Sequence, residues 1–426
     1  MVGMTVVLAG ARVRRVDPRQ VPECTTSPRH PRSGVSSHSP LVPVALVPPI
    51  GPLSGGQIHP RDLIDSMASS KQGPPSGLAT FIREGDTVFK TSRGEEIFII
   101  DGHLHLWDAS PENQANKYGD GFIGCFYDYH RNLSPAEYVW ERSVFEKYGA
   151  DKMVKDVFVE GYVDMGIFQP TYLKDFYKNG FNTTEQNSLL KDRHPERWIL
   201  NGAWDPRDGE AGLEYLESLV HRFGIRGVKL YTAEWKGNSR GWKLTDPWAT
   251  RYLEKCRQLG VKNIHVHKGP TIWPLNRDAF DVADIDEAAT MFTDLNFIIE
   301  HCGLPRLEDF CWIATQERNV YGGLAVVMPF IHSRPRYFAE VLANLLWWVG
   351  ADKLLFASDY AIWHPRWIVE KFMAFELPDD IQKEFGVSLT LDVKKKILGE
   401  NAARIYGIDI NVQKKELAKD AVAAMR

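Results

Sequence analysis

The sequence predicts an α/β fold, a (β/α)8 TIM barrel with a long insertion after its first strand and a disordered N-terminal extension. From Ile97 onward, short β-rich runs alternate with helical patterns, which is typical of βα units that build a parallel sheet. From the first run to the last, the chain advances 256 positions (359 minus 103), close to the roughly 250 residues of an eight-stranded barrel. Both observations indicate one closed barrel.

Eight runs qualify as the strands of this barrel. The first is EIFIIDGHLHLWD, and the other seven lie at residues 162–170, 197–206, 225–231, 262–269, 296–303, 320–327 and 353–360. Between the third and fourth runs, EAGLEYLESLVHRFG has apolar residues at helical spacing and stops at Gly224, which predicts a crossover helix. Right-handed crossovers are expected by default.

The insertion after the first strand spans roughly residues 108–156 and is rich in aromatic side chains. Long loops at the top of a barrel usually shape or cover the active site. We therefore expect a partial lid that is helical around residues 135–148. The same aromatic surface could instead form a contact between subunits.

Two further segments flank the barrel, which we place at residues 81–412. In residues 1–80, prolines are crowded among serine, glycine and basic residues, a composition that cannot bury enough apolar surface to offset chain entropy. We expect this extension to be disordered, and residues 413–426 to form a charged tail or helix. The opening MVGMTVVLAG resembles a signal peptide weakly, because its apolar stretch is short and RVRR follows. A natural start at Met67 is an alternative explanation of the extension.

Composition argues against several classes of partner. The net charge is -4, so no basic surplus suggests binding to nucleic acid or to an anionic membrane. No apolar run approaches the roughly 20 residues that cross a bilayer. The 5 cysteines are an odd number without a CxxC pair, which favours a reducing cytoplasm. We expect a cytoplasmic protein whose partner is a small-molecule substrate.

Histidine and aspartate side chains stand at the ends of four predicted strands. His103 and His105 are spaced i, i+2, so both side chains point to one face of the first strand. The fifth, sixth and eighth strands end in His267, His301 and Asp359. Barrel active sites form at these ends, and such ligands suit one divalent ion, zinc before manganese or iron, with an open position for water. The competing interpretation is a set of separate polar residues that satisfy loop hydrogen bonds.

The order of these motifs resembles the amidohydrolase-related family of metal-dependent barrel hydrolases and decarboxylases. The resemblance rests on DGHLH, on DPRD followed by RGVKLY, and on HVHKG, IIEHCG, LLFASDY and LGENAARIYG. It covers roughly residues 97–408, and its specificity lies in the order and spacing of the motifs.

Matched by position, the resemblance implies a role for each residue of the set. The metal would be held by His103, His105, His267 and Asp359. His301 would act beside the metal in catalysis or as a further ligand. His265, two residues before His267, is interpreted as a barrel-interior residue or as a residue behind the ligands.

Five more residues are predicted to contact the substrate. Lys229 ends the fourth strand, where a carboxylated lysine bridges two metals in binuclear relatives; here it could bridge, hold a substrate carboxylate or pack structurally. His332 and Arg334 lie in IHSRPRY, and the arginine could clamp a carboxylate or simply cap a helix. Trp107 and Tyr231 lie on strand-end loops and suggest an aromatic pocket wall, although such side chains are more often core.

The resemblance is compatible with two reactions. In a hydrolase, metal-activated water attacks a small amide, lactone or imine, Asp359 takes a proton, and His301 stabilises the oxyanion or protonates the leaving group. In a non-oxidative decarboxylase, Asp359 or His301 protonates the carbon that loses carbon dioxide. Hydrolysis is the preferred prediction. A catalytically silent scaffold is disfavoured, because burying these groups without a metal is costly. Barrels of this type also suggest a homo-oligomer.

We expect a chain that lacks residues 1–66 to fold and to turn over substrate as the full chain does, because the composition of the extension predicts disorder. Thermal unfolding followed by circular dichroism, together with activity, compares the two chains. Loss of solubility on truncation would show that the extension packs on the barrel.

Overall fold

Eight parallel strands form the centre of the protein. A computed structural model of the chain describes residues 89–91 and 94–425. The strands are hydrogen-bonded in sequence order: β1 Ile100–Leu104, β2 Met165–Phe168, β3 Trp198–Gly202, β4 Gly227–Leu230, β5 Asn263–His267, β6 Asn296–Glu300, β7 Val320–Gly323 and β8 Leu354–Leu355. The predicted (β/α)8 TIM barrel is confirmed. The predicted disorder of residues 1–80 and the alternative start at Met67 concern positions outside the described residues.

The barrel closes where the chain after β8 returns to β1. The Gly102 N–H donates to the Phe356 carbonyl at 2.9 Å, and the His105 N–H donates to the Tyr360 carbonyl at 2.7 Å. Glycine permits the first approach, because a Cβ at position 102 would lie 2.9 Å from the Phe356 oxygen. Closure therefore brings the end of β1 beside the loop that contains Asp359.

Fifteen α-helices accompany the strands in the described part of the chain. They are α1 Lys117–Leu133, α2 Arg142–Glu146, α3 Ala150–Val154, α4 Thr184–Arg193, α5 Gly209–Phe223, α6 Pro247–Gln258, α7 Ala283–Met291, α8 Leu307–Gln316, α9 Phe330–Ser333, α10 Pro335–Trp348, α11 Pro365–Ala374, α12 Asp379–Phe385, α13 Leu391–Lys395, α14 Asn401–Tyr406 and α15 Ile410–Leu417. The predicted crossover helix corresponds to α5, which ends at Gly224 in a left-handed conformation with φ 60°.

The amino-terminal mouth of the barrel is filled by the C-terminal helices. One buried apolar cluster joins side chains at the strand starts to side chains of α14 and α15: Phe98, Ile100, Met165, Ile167, Ile199, Ile298, Tyr321, Leu355, Ala402, Ala403, Tyr406 and Leu417. The opposite mouth, at the carboxyl ends of the strands, is the one where barrel sites form.

The insertion after β1 is helical, but its longest helix lies earlier than the sequence predicts. Residues 135–148 contain the short α2 and a 3-10 helix of three residues, Ala136–Tyr138, whereas α1 precedes Pro135. Two glycines near the start of α1, Gly119 and Gly121, interrupt the helix-forming sequence there, so the sequence did not predict this helix. They are needed for close packing, because a Cβ at Gly121 would collide with the Trp273 ring.

A buried histidine pins the insertion to the barrel. The His130 Nδ1 atom donates to the Ile362 carbonyl at 2.7 Å, and its Nε2 atom accepts from the Trp140 N–H at 2.8 Å. Burial lowers the pKa of His130, which favours the neutral ring that can make both bonds. The insertion is therefore fastened to the loop after β8.

In the described part of the chain, no helix combines the length and the apolarity that a membrane span needs.

The C-terminal segment is tied to β3 by a buried ion pair between Arg197 and Asp420, whose side chains are 0% and 7% exposed. We expect Asp420→Ala to lower the free energy of unfolding by about 3 kcal/mol, because the buried guanidinium loses its partner. Urea denaturation measures the change. As a control, Asp392→Ala removes a side chain that is 89% exposed and should change it by less than about 0.5 kcal/mol. Equal losses in both variants would contradict the anchoring role.

Candidate metal centre

Three potential metal ligands meet at the carboxyl mouth of the barrel. His103 lies in β1, His105 directly follows it, and Asp359 lies in the loop after β8. His103 Nε2 is 3.0 Å from His105 Nε2, and Asp359 Oδ1 is 3.3 Å from His105 Nε2 and 3.7 Å from His103 Nε2. All three side chains are buried. Residues from the two ends of the barrel sequence therefore share one small space.

Two residues of the site sit on strained backbone. The φ angle is 59° at Asp359 and 66° at His301, left-handed values that cost a non-glycine residue about 1 kcal/mol or more. Such strain persists where surrounding contacts over-determine the conformation, and it is commonest at functional sites.

The positions of the protons on the two histidines of β1 follow from their outer neighbours. His105 Nδ1 lies 2.7 Å from the Gln169 carbonyl, and His103 Nδ1 lies 2.9 Å from Glu300 Oε2. Carbonyl and carboxylate oxygens only accept, so the proton is assigned to Nδ1 on each ring. Asn182 Nδ2 also lies 2.8 Å from His105 Nδ1, and in this assignment it donates to the Gln169 carbonyl, at 2.8 Å. Both Nε2 atoms therefore present lone pairs to the shared space.

These assignments leave three proton acceptors facing one another, namely two imidazole nitrogens and the Asp359 carboxylate. Lys229 Nζ approaches His103 Nε2 at 3.0 Å, but one ammonium cannot satisfy all three acceptors. A divalent cation attracts every member of the set, and neutral imidazoles with a carboxylate are typical ligands of zinc and related ions. The residues present fit such an ion.

His267 does not join the three-residue group directly. Its Nδ1 atom lies 3.0 Å from His301 Nε2, and the His301 ring centroid is 5.6 Å from that of His103. His267 Nε2 faces the Pro270 carbonyl at 3.2 Å, and His301 Nδ1 faces the Ala325 carbonyl at 3.1 Å. Protons on those outer atoms leave two more lone pairs turned toward each other, so the acceptor cluster extends to five side chains.

The electrostatics of the site keep His103 and His301 neutral and Asp359 ionised. Burial alone opposes ionisation of Asp359, but the nearby histidines, His103 foremost, hold its pKa well below the ordinary value. Burial and the charge of Lys229 lower the pKa of His103 to about 3. Burial also lowers the pKa of His301, and it lowers that of Lys229 to about 8. Neutral imidazole and ionised carboxylate are the forms that bind metal ions.

Glu300, at the end of β6, is a site residue that the sequence prediction missed. Its two oxygens lie 2.9 Å from His103 Nδ1 and 2.6 Å from His265 Nδ1. Burial would raise its pKa, but the two histidines hold it well below the ordinary value. Alternation in the buried strand NFIIE places Glu300 on the same side as Ile298, toward the barrel interior, and this was the available signal.

Gln169, which follows β2, is the second residue missed. Its carbonyl receives the His105 proton, and its amide nitrogen donates to the Gly102 carbonyl at 2.8 Å. Its amide oxygen accepts from Asn201 Nδ2 at 3.0 Å. The glutamine is thereby held from both ends, and it fixes the orientation of the His105 ring. The only signal of Gln169 in the sequence was its position, because it is a polar residue that directly follows the apolar strand β2.

Two of the predicted substrate-contacting aromatics lie next to the site. The Tyr231 ring centroid is 4.6 Å from that of His267, and its buried hydroxyl has no hydrogen-bond partner among the described residues. The Trp107 ring centroid is 6.1 Å from that of His105. Its indole N–H donates to the Phe145 carbonyl at 2.6 Å, so Trp107 packs between the site and the insertion.

The predicted residues of the loop after β7 lie farther out. His332 and Arg334 are both exposed. The His332 ring lies 5.8 Å from that of Trp367, and the Arg334 guanidinium stacks over Tyr337 at 4.8 Å. The structure does not bring either side chain into the acceptor cluster.

An apolar cavity of about 230 Å³ lies on the same mouth of the barrel. Its walls come from α1, from α9 and α10, and from loops that follow β5 to β8: Tyr129, Leu133, Pro270, Leu304, Pro305, Val326, Phe330, Tyr337 and Trp363. Several of these residues follow a site residue by three or four positions, so cavity and acceptor cluster share the same loops. The Trp363 indole N–H is buried without a partner in the described part of the chain.

A second cluster of potential ligands, Asp156, Glu160 and His364, is poorly suited to a cation. Asp156 already pairs with Lys152 Nζ at 3.0 Å. His364 Nδ1 accepts from the Arg366 N–H at 3.2 Å, which places the ring proton on Nε2. That proton faces Glu160, so the histidine has no lone pair to offer there.

The sequence profile of the amidohydrolase family matches residues 100–408. An uncharacterised TIM-barrel protein from Bordetella bronchiseptica is 16% identical, with a TM-score of 0.55 over 73% of this chain and 99% of that one. A 2,6-dihydroxybenzoate decarboxylase complexed with 2,6-dihydroxybenzoate is 16% identical, with a TM-score of 0.50 over 73% and 100% of the two chains. A 5-carboxyvanillate decarboxylase from Novosphingobium aromaticivorans, complexed with manganese, is 12% identical, with a TM-score of 0.49 over 76% and 99%. No curated protein matches the sequence.

Replacing Glu300→Gln tests the proton assignment at His103. We expect the affinity for zinc to fall by about 10- to 100-fold, because the carboxylate behind a histidine ligand fixes its orientation and raises its basicity. Calorimetric titration of the metal-free chain with zinc measures this. Glu370→Gln, at a side chain 31% exposed that pairs with Arg366, is the matched control. An unchanged affinity in Glu300→Gln would refute the assignment.

Proposed function

The chain belongs to the amidohydrolase family, and from this premise we propose that it is a metal-dependent hydrolase that acts on a small organic substrate. The observation that carries the proposal is the group formed by His103, His105 and Asp359, whose ligand atoms lie within 4.8 Å of one another. Facing acceptors in a buried space are costly unless a cation lies between them.

In this proposal the three residues hold one divalent ion, zinc before manganese or iron, and His267 is the fourth ligand carried over from the family pattern. When bound, such an ion lowers the pKa of a water to about 7 and polarises the bond to be broken. Lys229 would tolerate the added charge, because its pKa of about 8 lets it lose its proton easily. A deprotonated Lys229 is free to contact the substrate.

Asp359 and His301 would move the protons of the reaction. The Asp359 carboxylate is ionised, so it can accept a proton from attacking water. His301 carries its own proton on Nδ1, toward Ala325, and its Nε2 lone pair faces the site. That nitrogen can receive a proton and deliver it to the leaving group.

The acceptors that face the shared space support the hydrolase proposal. They can take up a proton, as a reaction that begins by removing a proton from water requires. Once protonated, the same groups can deliver that proton to a leaving group or to carbon, so the products decide between hydrolysis and decarboxylation.

The cavity beside the site supports a substrate with a compact apolar body. Its lining is almost entirely hydrophobic, and α1 contributes Tyr129 and Leu133 to it. Two buried donors without partners among the described residues, the Tyr231 hydroxyl and the Trp363 indole N–H, could each meet a polar atom of the substrate. We propose a small-molecule partner of this kind.

A non-oxidative decarboxylase is the second candidate. In its favour, a 2,6-dihydroxybenzoate decarboxylase shares the fold at a TM-score of 0.50, and an apolar cavity would also accept an aromatic ring. In that reaction Asp359 or His301, after taking up a proton, would deliver it to the carbon that loses carbon dioxide.

We expect His103→Ala and Asp359→Ala to lower metal content and turnover together, because each removes one ligand. Metal content by plasma mass spectrometry and turnover on the best substrate are measured on the same samples. His221→Ala, at a histidine whose side chain is 71% exposed, and Asp392→Ala, at an aspartate 89% exposed, are the matched controls. Full metal content and activity in either ligand variant would defeat the assignment.

A panel of lactones, amides, hydroxybenzoates and carboxylated enol acids separates the two reactions. The metal-loaded enzyme is incubated with each compound in water labelled with heavy oxygen. We expect products of hydrolysis that contain solvent oxygen, because the proposed nucleophile is water. Release of carbon dioxide without solvent oxygen in the product would remove the hydrolase proposal and leave the decarboxylase.

A further inference from the structure

A line of hydrogen-bonded side chains runs through the interior of the barrel, from the metal centre toward the opposite mouth. His103 Nδ1 lies 2.9 Å from Glu300 Oε2, and the other oxygen of this carboxylate lies 2.6 Å from His265 Nδ1. His265 Nε2 lies 2.8 Å from the Tyr406 hydroxyl. All four side chains belong to residues that are at most 2% exposed. We call these four residues the interior network.

Tyr406 enters the interior network from the amino-terminal mouth of the barrel. It ends α14, and its ring belongs to the apolar cluster that fills that mouth. Gly227 makes room for its hydroxyl, because a Cβ at position 227 would lie 3.0 Å from the Tyr406 oxygen and 2.6 Å from Asn201 Oδ1. The tyrosine therefore carries one polar atom from an apolar cluster into the barrel interior.

The direction of these hydrogen bonds follows from the Glu300 carboxylate. His103 and His265 hold the pKa of Glu300 well below its ordinary value, so the group is ionised and can only accept. His265 therefore donates from Nδ1, and the lone pair of the neutral ring lies on Nε2. Burial raises the pKa of Tyr406, so its hydroxyl keeps the proton that it donates to this lone pair.

The two amides beside the interior network are compatible with this direction. Gln169 Nε2 also lies 2.9 Å from His265 Nδ1, but it donates to the Gly102 carbonyl at 2.8 Å. Asn201 Nδ2 lies 3.2 Å from the Tyr406 oxygen and donates to it. Asn201 Oδ1, at 3.3 Å, is the competing acceptor for the tyrosine proton, and this contact is longer than the one to His265.

We propose that Tyr406 is a positioning residue for the metal centre, on which it acts through His265 and Glu300. His265 is held at both ring nitrogens, so its ring cannot tilt and its bond fixes one oxygen of Glu300. The other oxygen is then held where it orients His103. The inference rests on the metal centre proposed above and extends it to a helix at the opposite end of the barrel.

Loss of the hydroxyl is expected to loosen each link in turn. His265 Nε2 would become a buried acceptor without its donor, which is unfavourable, so the ring would shift toward another donor. Such a shift moves the ring away from Glu300 and weakens the hold of that carboxylate on His103. A residue directly behind a metal ligand contributes about 10- to 100-fold to metal affinity. Because Tyr406 acts through two intervening side chains, we expect a smaller contribution of about 5-fold.

The first experiment replaces Tyr406→Phe in the full chain, which removes the hydroxyl and keeps the ring in its apolar cluster. Calorimetric titration of the metal-free chain with zinc should show an affinity about 5-fold lower than that of the wild type. Tyr252→Phe is the matched control, because it removes a hydroxyl that donates to the Gly209 carbonyl at 2.7 Å on the outer helices. The control should bind zinc within about 2-fold of the wild type.

A double-mutant cycle tests whether Tyr406 acts through His265. His265→Phe should lower zinc affinity by about 10-fold, because one oxygen of Glu300 loses its donor. Adding Tyr406→Phe to this variant should lower the affinity by less than about 2-fold more, since the connecting ring nitrogens are already gone. A purely structural role of Tyr406 would instead cost the same factor in both backgrounds. Circular dichroism checks that each variant is folded.

Nuclear magnetic resonance of the chain labelled with nitrogen-15 histidine tests the proton positions directly and without metal. We expect one histidine with a protonated Nδ1 and an unprotonated Nε2 whose Nε2 signal moves in Tyr406→Phe and stays in place in Tyr252→Phe. The same signal should be absent from His265→Phe. If His265→Phe does not fold, Tyr406→Phe still identifies the signal, because its hydroxyl contacts this ring.

Four results would overturn the inference: a wild-type zinc affinity in Tyr406→Phe, an equal loss in Tyr252→Phe, full additivity in the double variant, or a protonated His265 Nε2 in the wild type. A wild type that binds no divalent ion would contradict the metal centre itself and this inference with it. The two failures are distinguishable, because only the second leaves the wild type without a bound ion.

Discussion

The mouth of this barrel is governed by one electrostatic constraint: proton acceptors that face one another in a buried space need positive charge between them. The lone pairs of His103 and His105 converge at 3.0 Å, with the Asp359 carboxylate beside them. Water cannot enter freely to relieve this repulsion, because all three side chains are buried. Lys229 relieves part of it, and a divalent cation would relieve the whole. The proposed chemistry follows from this requirement.

The constraint exists because residues behind the ligands hold them in place. Glu300 and Gln169 occupy the ends of other strands, and each takes the outer proton of one histidine. Without those acceptors the rings could turn their protons inward and satisfy one another. Gly323 makes room for this arrangement, because a Cβ there would collide with the Glu300 carboxylate. The barrel thus supplies orientation as well as proximity.

The parts of the chain around the mouth divide into a cover and a binding wall. The insertion, fastened through His130, contributes two of the residues that line the apolar cavity, Tyr129 and Leu133. The cavity beside the insertion is thus apolar, whereas the acceptor cluster contains the polar and ionisable side chains.

The sequence alone determined the strand order and the family. Eight β-rich runs, HxH and the strand-end motifs are patterns of neighbouring residues, so they can be recognised without knowledge of the tertiary structure. It also indicated that His103, His105 and Asp359 could meet, since the carboxyl ends of barrel strands share one mouth. It could not reveal Glu300 or Gln169, whose importance depends on which ring nitrogen faces which oxygen across strands. Nor could it show that His267 Nδ1 faces His301 Nε2 at 3.0 Å, or that Arg334 stacks on Tyr337 outside the cluster. Those facts depend on rotamers and on distances between loops, which only the tertiary packing decides.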